Sequence, residues 1–180
     1  MSKLDWQAHW LLPVAALVHP TFAADYLNVG EAQKILFSEA DRFEQKKVEL
    51  TSEQLDKIKE LSGVRQRNDK PQIWLAYKKK KLLGWFVVDE VIGKHEFITY
   101  AAGLSTDGKV KGIEVMSYRE THGGQVRNAD WRKHFEGKTL NDPFKLDEDV
   151  PNISGATLSC RNLLDGVKRL LALQQVAKDV

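Results

Sequence analysis

Val150-Pro151-Asn152-Ile153-Ser154-Gly155-Ala156-Thr157-Leu158-Ser159 joins an irregular, proline-marked approach to a long amphipathic segment. Downstream, Leu163, Leu164, Val167, Leu170 and Leu171 recur at helical spacing. That spacing predicts a long C-terminal helix whose start is Ser154-Gly155-Ala156-Thr157. A helix start presents backbone N–H groups without intrahelical partners, together with a partial positive charge. Two uses of this end are open. Ser154 can act as an ordinary N-cap, or the free N–H groups can seat a phosphate. Gly155 and Ala156 are small enough to let a bulky group approach the backbone, and they leave the Thr157 hydroxyl unshielded, so that this hydroxyl could carry the phosphate.

The chain has 180 residues, 27 Lys and Arg against 25 Asp and Glu. Its length suffices for one sizeable core. A formal net charge of +2 gives no reason to expect nucleic acid as a partner. Cys160 is the only cysteine, which excludes an intrachain disulfide framework and a multi-cysteine metal site. In a protein of this kind it reads as a small buried hydrophobe. At the other end, Lys3, the short apolar run 10–18 and the small-residue site around Ala23 read as a secretory signal peptide over residues 1–23. The run is shorter than the ~18 residues expected of a spanning helix.

Between these ends the pattern changes twice. Ala32, Ile35, Leu36, Ala40 and Phe43 suggest a helix over 29–43 with an interruption near Phe37-Ser38. Thr51-Ser52-Glu53-Gln54 is a capping-box pattern that opens a second helix, with Gly63 as its stop. Residues 73–77, 82–88, 97–104 and 110–118 are rich in aromatic and branched side chains and read as strands. Thr106-Asp107-Gly108-Lys109 is a strong hairpin signal, and Lys78-Lys79-Lys80-Lys81 reads as a solvated hairpin turn. Asn128 is an expected N-cap for a short helix holding Trp131 and Phe135, stopped by Gly137. The expected fold is therefore α+β: an antiparallel sheet of about four strands packed with helices, and a long C-terminal helix starting at the Ser-Gly-Ala-Thr string.

Two further stretches interrupt the sheet. Gly93-Lys94-His95-Glu96 is a turn in which His95 could move a proton, though no second histidine stands at metal-ligand spacing. Tyr118-Arg119-Glu120-Thr121-His122-Gly123-Gly124 ends in paired glycines, which allow positive φ and close approach of backbone to a ligand, or simply a flexible connection. No nucleophile–base constellation and no Gly-rich dinucleotide fingerprint occurs.

The string Ser154-Gly155-Ala156-Thr157-Leu158-Ser159 resembles the flavinylation motif of the FMN-binding domain family. That family includes the flavin-carrying subunits of the sodium-pumping NADH:quinone reductase and of the Rnf electron-transfer complex. The resemblance implies FMN held by a phosphoester bond to Thr157, placed there by an FAD-dependent flavin transferase that needs a divalent metal. In many members an aspartate lies three residues before the motif serine; here that place is Pro151. The run 88–100 is similar to a block of small exported members, which implies that Lys94, His95 and Glu96 face the flavin. Glu120, Thr121 and Gly123 occupy the places of a Glu-Thr-x-Gly pattern, with His122 where proline is frequent.

On this resemblance residues 24–180 are expected to form a single FMN-binding domain. Its cofactor-binding residues would be Thr157, Ser154, Gly155, Ala156, Glu120, Thr121, Gly123, Gly124, His95 and Lys94. Trp85, Phe86, Phe97, Tyr100, Trp131 and Phe135 are candidate walls for the flavin ring. The implied function is electron relay outside the cytoplasm between membrane or soluble redox partners, with neither nucleic acid nor a resident metal. A noncovalent flavin reductase and a flavin-free interaction subunit are the other readings.

Overall fold

Two antiparallel hairpins occupy the middle of the molecule, where the sequence turns to period-two patterning. In the computed structural model, which describes residues 24–178, the elements run β1 (Ala24–Asp25), α1 (Val29–Leu36), β2 (Arg42–Lys46), α2 (Ser52–Ser62), β3 (Gln72–Lys78), β4 (Lys81–Ile92), β5 (Phe97–Ser105), β6 (Val110–Tyr118), α3 (Ala129–Arg132) and α4 (Thr157–Val176). Two 3-10 turns, Gly124–Arg127 and Lys133–Phe135, flank α3. The six strands form one antiparallel sheet ordered β1-β6-β5-β4-β3-β2. The four strands read from the sequence are its centre, and the short strands β1 and β2 extend it at the edges. The fold is α+β with a long C-terminal helix. The signal-peptide stretch 1–23 lies outside the described residues.

Both faces of the sheet are covered, because β4 and β5 alternate between two cores. Trp85, Val87 and Val91 join Ile98, Tyr100 and Ala102 under α4, which α2 packs against. Phe86 and Ala101 point the other way, into a smaller cluster with Ala32, Leu36, Phe37 and Met116 under α1. Each large apolar side chain buried in this way contributes roughly 2 kcal/mol. Among the described residues no helix is long and apolar enough to cross a membrane.

The first helix is shorter than expected. It ends at Leu36, and Phe43 lies in β2 rather than on a continued helix. Residues 42–46 pair with the free edge of β3, Phe43 opposite Ala76. Phe43 thereby stacks edge-on against Phe37 and Phe86, at centroid distances of 6.2 and 6.3 Å. Ile35, counted in the helical pattern, is 52% exposed. The capping box of α2 is present, and Gly63 closes that helix at φ 75°. In α4, Gly166 has a packing role: a Cβ there would stand 2.5 Å from the Tyr100 hydroxyl and 2.8 Å from Val91. Its absence lets the helix lie directly on the sheet.

Candidate functional site

The approach to α4 is fixed by ionic and polar contacts. Asp149 accepts hydrogen bonds from the backbone N–H groups of Phe144 (3.1 Å) and Lys145 (2.7 Å) and from the Lys138 ammonium (2.6 Å). Burial pushes the Asp149 carboxyl up, but the Lys138 ammonium and these N–H groups outweigh it and hold it below the usual aspartate value. The Trp131 indole N–H donates to the Pro151 carbonyl at 2.8 Å, and the Asn152 N–H donates to Asp147 at 3.0 Å. Gly155 then takes φ 81°, with open space where a Cβ would stand.

The helix proper begins at Thr157. Its N-cap position is Ala156, and no side chain caps it. Ser154 is exposed and does not act as the capping residue. The first helical hydrogen bond runs from the Cys160 N–H to the Ala156 carbonyl, at 2.9 Å. The N–H groups of Thr157, Leu158 and Ser159 therefore have no partner among the described residues, the arrangement that favours an anion. Thr157 is half-buried and Cys160 is fully buried.

The two other stretches meet this end. Gly123, at φ 85°, lies against Ala156: a Cβ on it would collide with the Ala156 Cβ and stand 2.7 Å from the Tyr118 hydroxyl. That hydroxyl donates to the His122 carbonyl and lies 3.5 Å from the Ser159 hydroxyl. Glu120 reaches instead to the turn 93–96, where Oε1 accepts from the N–H groups of His95 (2.5 Å) and Glu96 (2.9 Å). Burial raises the Glu120 carboxyl, but the Glu96, His95 and Lys94 N–H groups bring it below the ordinary glutamate value. The side chains of Lys94, His95, Thr121 and His122 are exposed, and Gly124 opens the following 3-10 turn. A helix start, a loop and a turn from separate parts of the chain thus form one continuous surface.

Of the candidate ring walls, only Phe97 is on that surface, 55% exposed. Trp85, Phe86, Tyr100, Trp131 and Phe135 are buried core residues, because each points from its strand or turn into a packed face. Two apolar residues outside the sequence-based set join Phe97. Ile92 is its cross-strand partner, and Leu158 follows the threonine; both are exposed. Asn162, one turn beyond Leu158, donates to the Ile92 carbonyl at 2.6 Å and ties the helix to the strand end. Leu158 stands off the apolar stripe defined by Leu163, Val167 and Leu170, and that phase is readable in the sequence.

The site is the uncapped, threonine-bearing start of a long helix that lies on an antiparallel sheet, with Gly123 and Gly155 beside it at positive φ. Residues 93–172 match the model of the FMN-binding domain. It is 32% identical to the G subunit of an ion-translocating oxidoreductase complex from Stutzerimonas stutzeri, over 39% of this chain and 36% of that one. It is 34% identical to the protein of the same name from Erwinia tasmaniensis, over 40% of each chain. The matched stretch spans about two fifths of the length of these relatives. The fold is similar to the crystal structure of Shewanella oneidensis NqrC, with a TM-score of 0.51 at 16% identity, covering 85% of this chain and 78% of that one.

Proposed function

We propose that this protein is an electron relay that carries FMN on Thr157 through a phosphoester bond. The observation that carries the proposal is the uncapped start of α4, where Thr157 stands first in the helix and three N–H groups lack partners among the described residues. Those donors fit a phosphate. Open space at Gly155 and the exposed apolar trio Ile92, Phe97 and Leu158 fit a bulky, partly apolar group beside it. Bound FMN supplies reversible transfer of electrons and protons. The chain's own residues do the rest. The helix start neutralises the phosphate, Gly123 and Ala156 hold the surface together, and Glu120 fixes the turn bearing the exposed side chains of Lys94 and His95.

Residues 24–180 form one such domain in this reading, and residues 1–23 direct export. Covalent attachment suits that location. A cofactor held at micromolar affinity, about 8 kcal/mol, would be lost to a dilute medium, and the phosphoester prevents it. An FAD-dependent flavin transferase loads the chain, and its redox partners belong to a membrane-associated system, in keeping with relatives that are subunits of an ion-translocating complex.

Co-expression with a flavin transferase followed by denaturing electrophoresis tests the reading. A band fluorescent under ultraviolet light is expected only when the transferase is present. Flavin that co-purifies but leaves on denaturation would place the cofactor in a noncovalent site, and a colourless protein would remove flavin from its function.

A further inference from the structure

Lys78-Lys79-Lys80-Lys81 closes the hairpin between β3 and β4, with Lys78 paired to Lys81 across it. All four lysines are exposed, and none forms an ion pair among the described residues. The carboxylates at this end of the sheet are engaged elsewhere: Glu39 by Lys111, Glu44 by Arg42 and Asp107 by Lys109. Asp41 accepts the Lys79 backbone N–H at 2.7 Å, which fixes the turn. Lys79 takes φ 55°, a conformation for which glycine or asparagine is the usual residue. Four adjacent like charges repel one another and make no contact that stabilises the fold. A surface of opposite charge would offset that repulsion.

The next residue, Leu82, lines a cleft of about 450 Å³ beside the C-terminal half of α4. Leu75, Trp85 and Leu171 form its apolar wall. Lys46 and Lys178 stand in its polar lining, the Lys46 ammonium 5.6 Å from the centre of the Trp85 ring. Asp107, the one carboxylate among the described lining residues, is paired with Lys109 at 2.8 Å. An apolar cleft that follows directly on a cationic run fits an amphiphilic anion, with its head on the lysines and its chain against the leucines. A protein partner fits less well. A stable interface takes roughly 800 Å² from each side around an apolar centre, and a hairpin tip of lysines supplies neither.

We propose that this end of the molecule docks on an anionic lipid surface, with the lysine run against the headgroups and one acyl chain in the cleft. Charge and chain together provide the two signals that stable anchoring takes. Lys81 and Ile92 are the opposite ends of β4, and a strand of that length spans roughly 36 Å. The surface beside Thr157 is therefore held away from the lipid, open to a partner. The contact does not depend on flavin attachment.

Flotation of the full chain with two kinds of vesicle tests the proposal: phosphatidylcholine alone, and phosphatidylcholine mixed with phosphatidylglycerol. Binding is expected to the mixed vesicles only, and to weaken as salt is added. Lys79→Asn combined with Lys80→Gln, residues that the turn tolerates, should weaken it roughly thirtyfold. The chain in the cleft is read separately, by amide NMR. Dihexanoyl phosphatidylglycerol below its micellar concentration should shift Leu75, Leu82 and Leu171 saturably, and glycerol phosphate, which has no chains, should not. Thr157→Val should bind vesicles as the wild type does, so failure of the flavin reading leaves this result untouched. Equal binding to both vesicles, or binding kept in the lysine variant, would overturn the proposal by moving the contact elsewhere on the chain. So would equal shifts with glycerol phosphate, or none with the short-chain lipid. Binding to neither vesicle would overturn it too, and would leave an acidic protein as the partner of the lysine run.

Discussion

The starts of α1 and α2 and the start of α4 solve the same problem in opposite ways. In α1, Asn28 accepts from the Glu31 N–H at 3.0 Å while Glu31 accepts from the Asn28 N–H at 2.8 Å. In α2, Thr51 and Gln54 do the same at 3.3 and 2.9 Å. Each of these helices satisfies its third N–H and that of its N-cap residue with its own side chains. The longest helix in the described chain does not, although Ser154 stands close by in sequence. Open N–H groups at the end of a helix whose other contacts are well packed mark that end as a place for something else. Serine, glycine and alanine there keep the end accessible instead of closing it.

The strongest way to break this contrast is to disturb what holds the open end in place. Gly123→Val adds a β-branched side chain at φ 85° against Ala156. It should destabilise the fold by about 3 kcal/mol or more, from strain and overpacking together, as read by urea denaturation.

Next comes the anchor of the approach. Asp149→Asn should cost about 2 kcal/mol by weakening three charge-assisted hydrogen bonds. Because the Asp149 carboxyl is held below the usual aspartate value, its stabilisation is complete above the unfolded value, near ~4. It is lost as pH falls through the lower folded value. The wild-type protein should therefore show a steeper loss of stability on acidification than the Asn variant.

The smallest effects sharpen the contrast directly. Thr51→Ala should cost about 1 kcal/mol, as removal of a working cap does. Ser154→Ala should stay within about 0.5 kcal/mol, the range of an exposed residue without a partner. Equal losses in the two variants would show that Ser154 caps α4 in solution.

Much of the scaffold was legible because its signals are local. The capping box at Thr51, the Asp-Gly hairpin and the alternation of β3 to β6 each determine their own element. The edge strands were not legible. β1 has two residues, and Arg42–Lys46 carries one apolar side chain among four polar ones, so neither shows a period. Phe43 fits a helical stripe as well as a strand face, and only its pairing opposite Ala76 decides between them. At the site, residue type marked the Ser-Gly-Ala-Thr start and the glycines that meet it. It could not separate Phe97 from the five aromatics in the core, since exposure depends on which face each residue takes. The resemblance implies a ligand role for Glu120, and residue type alone does not show that its carboxylate is engaged by the turn 93–96, a contact across 24 residues.

The proposed electron relay requires Thr157 to carry FMN, and intact mass of the denatured protein after co-expression with a flavin transferase tests that requirement most directly. The expected result is a gain of one FMN less one water on the wild-type chain, mapped to the peptide holding Thr157 and absent from Thr157→Val, which keeps the wild-type fold. The same gain in Thr157→Val, or no gain on a folded wild-type chain, would contradict it.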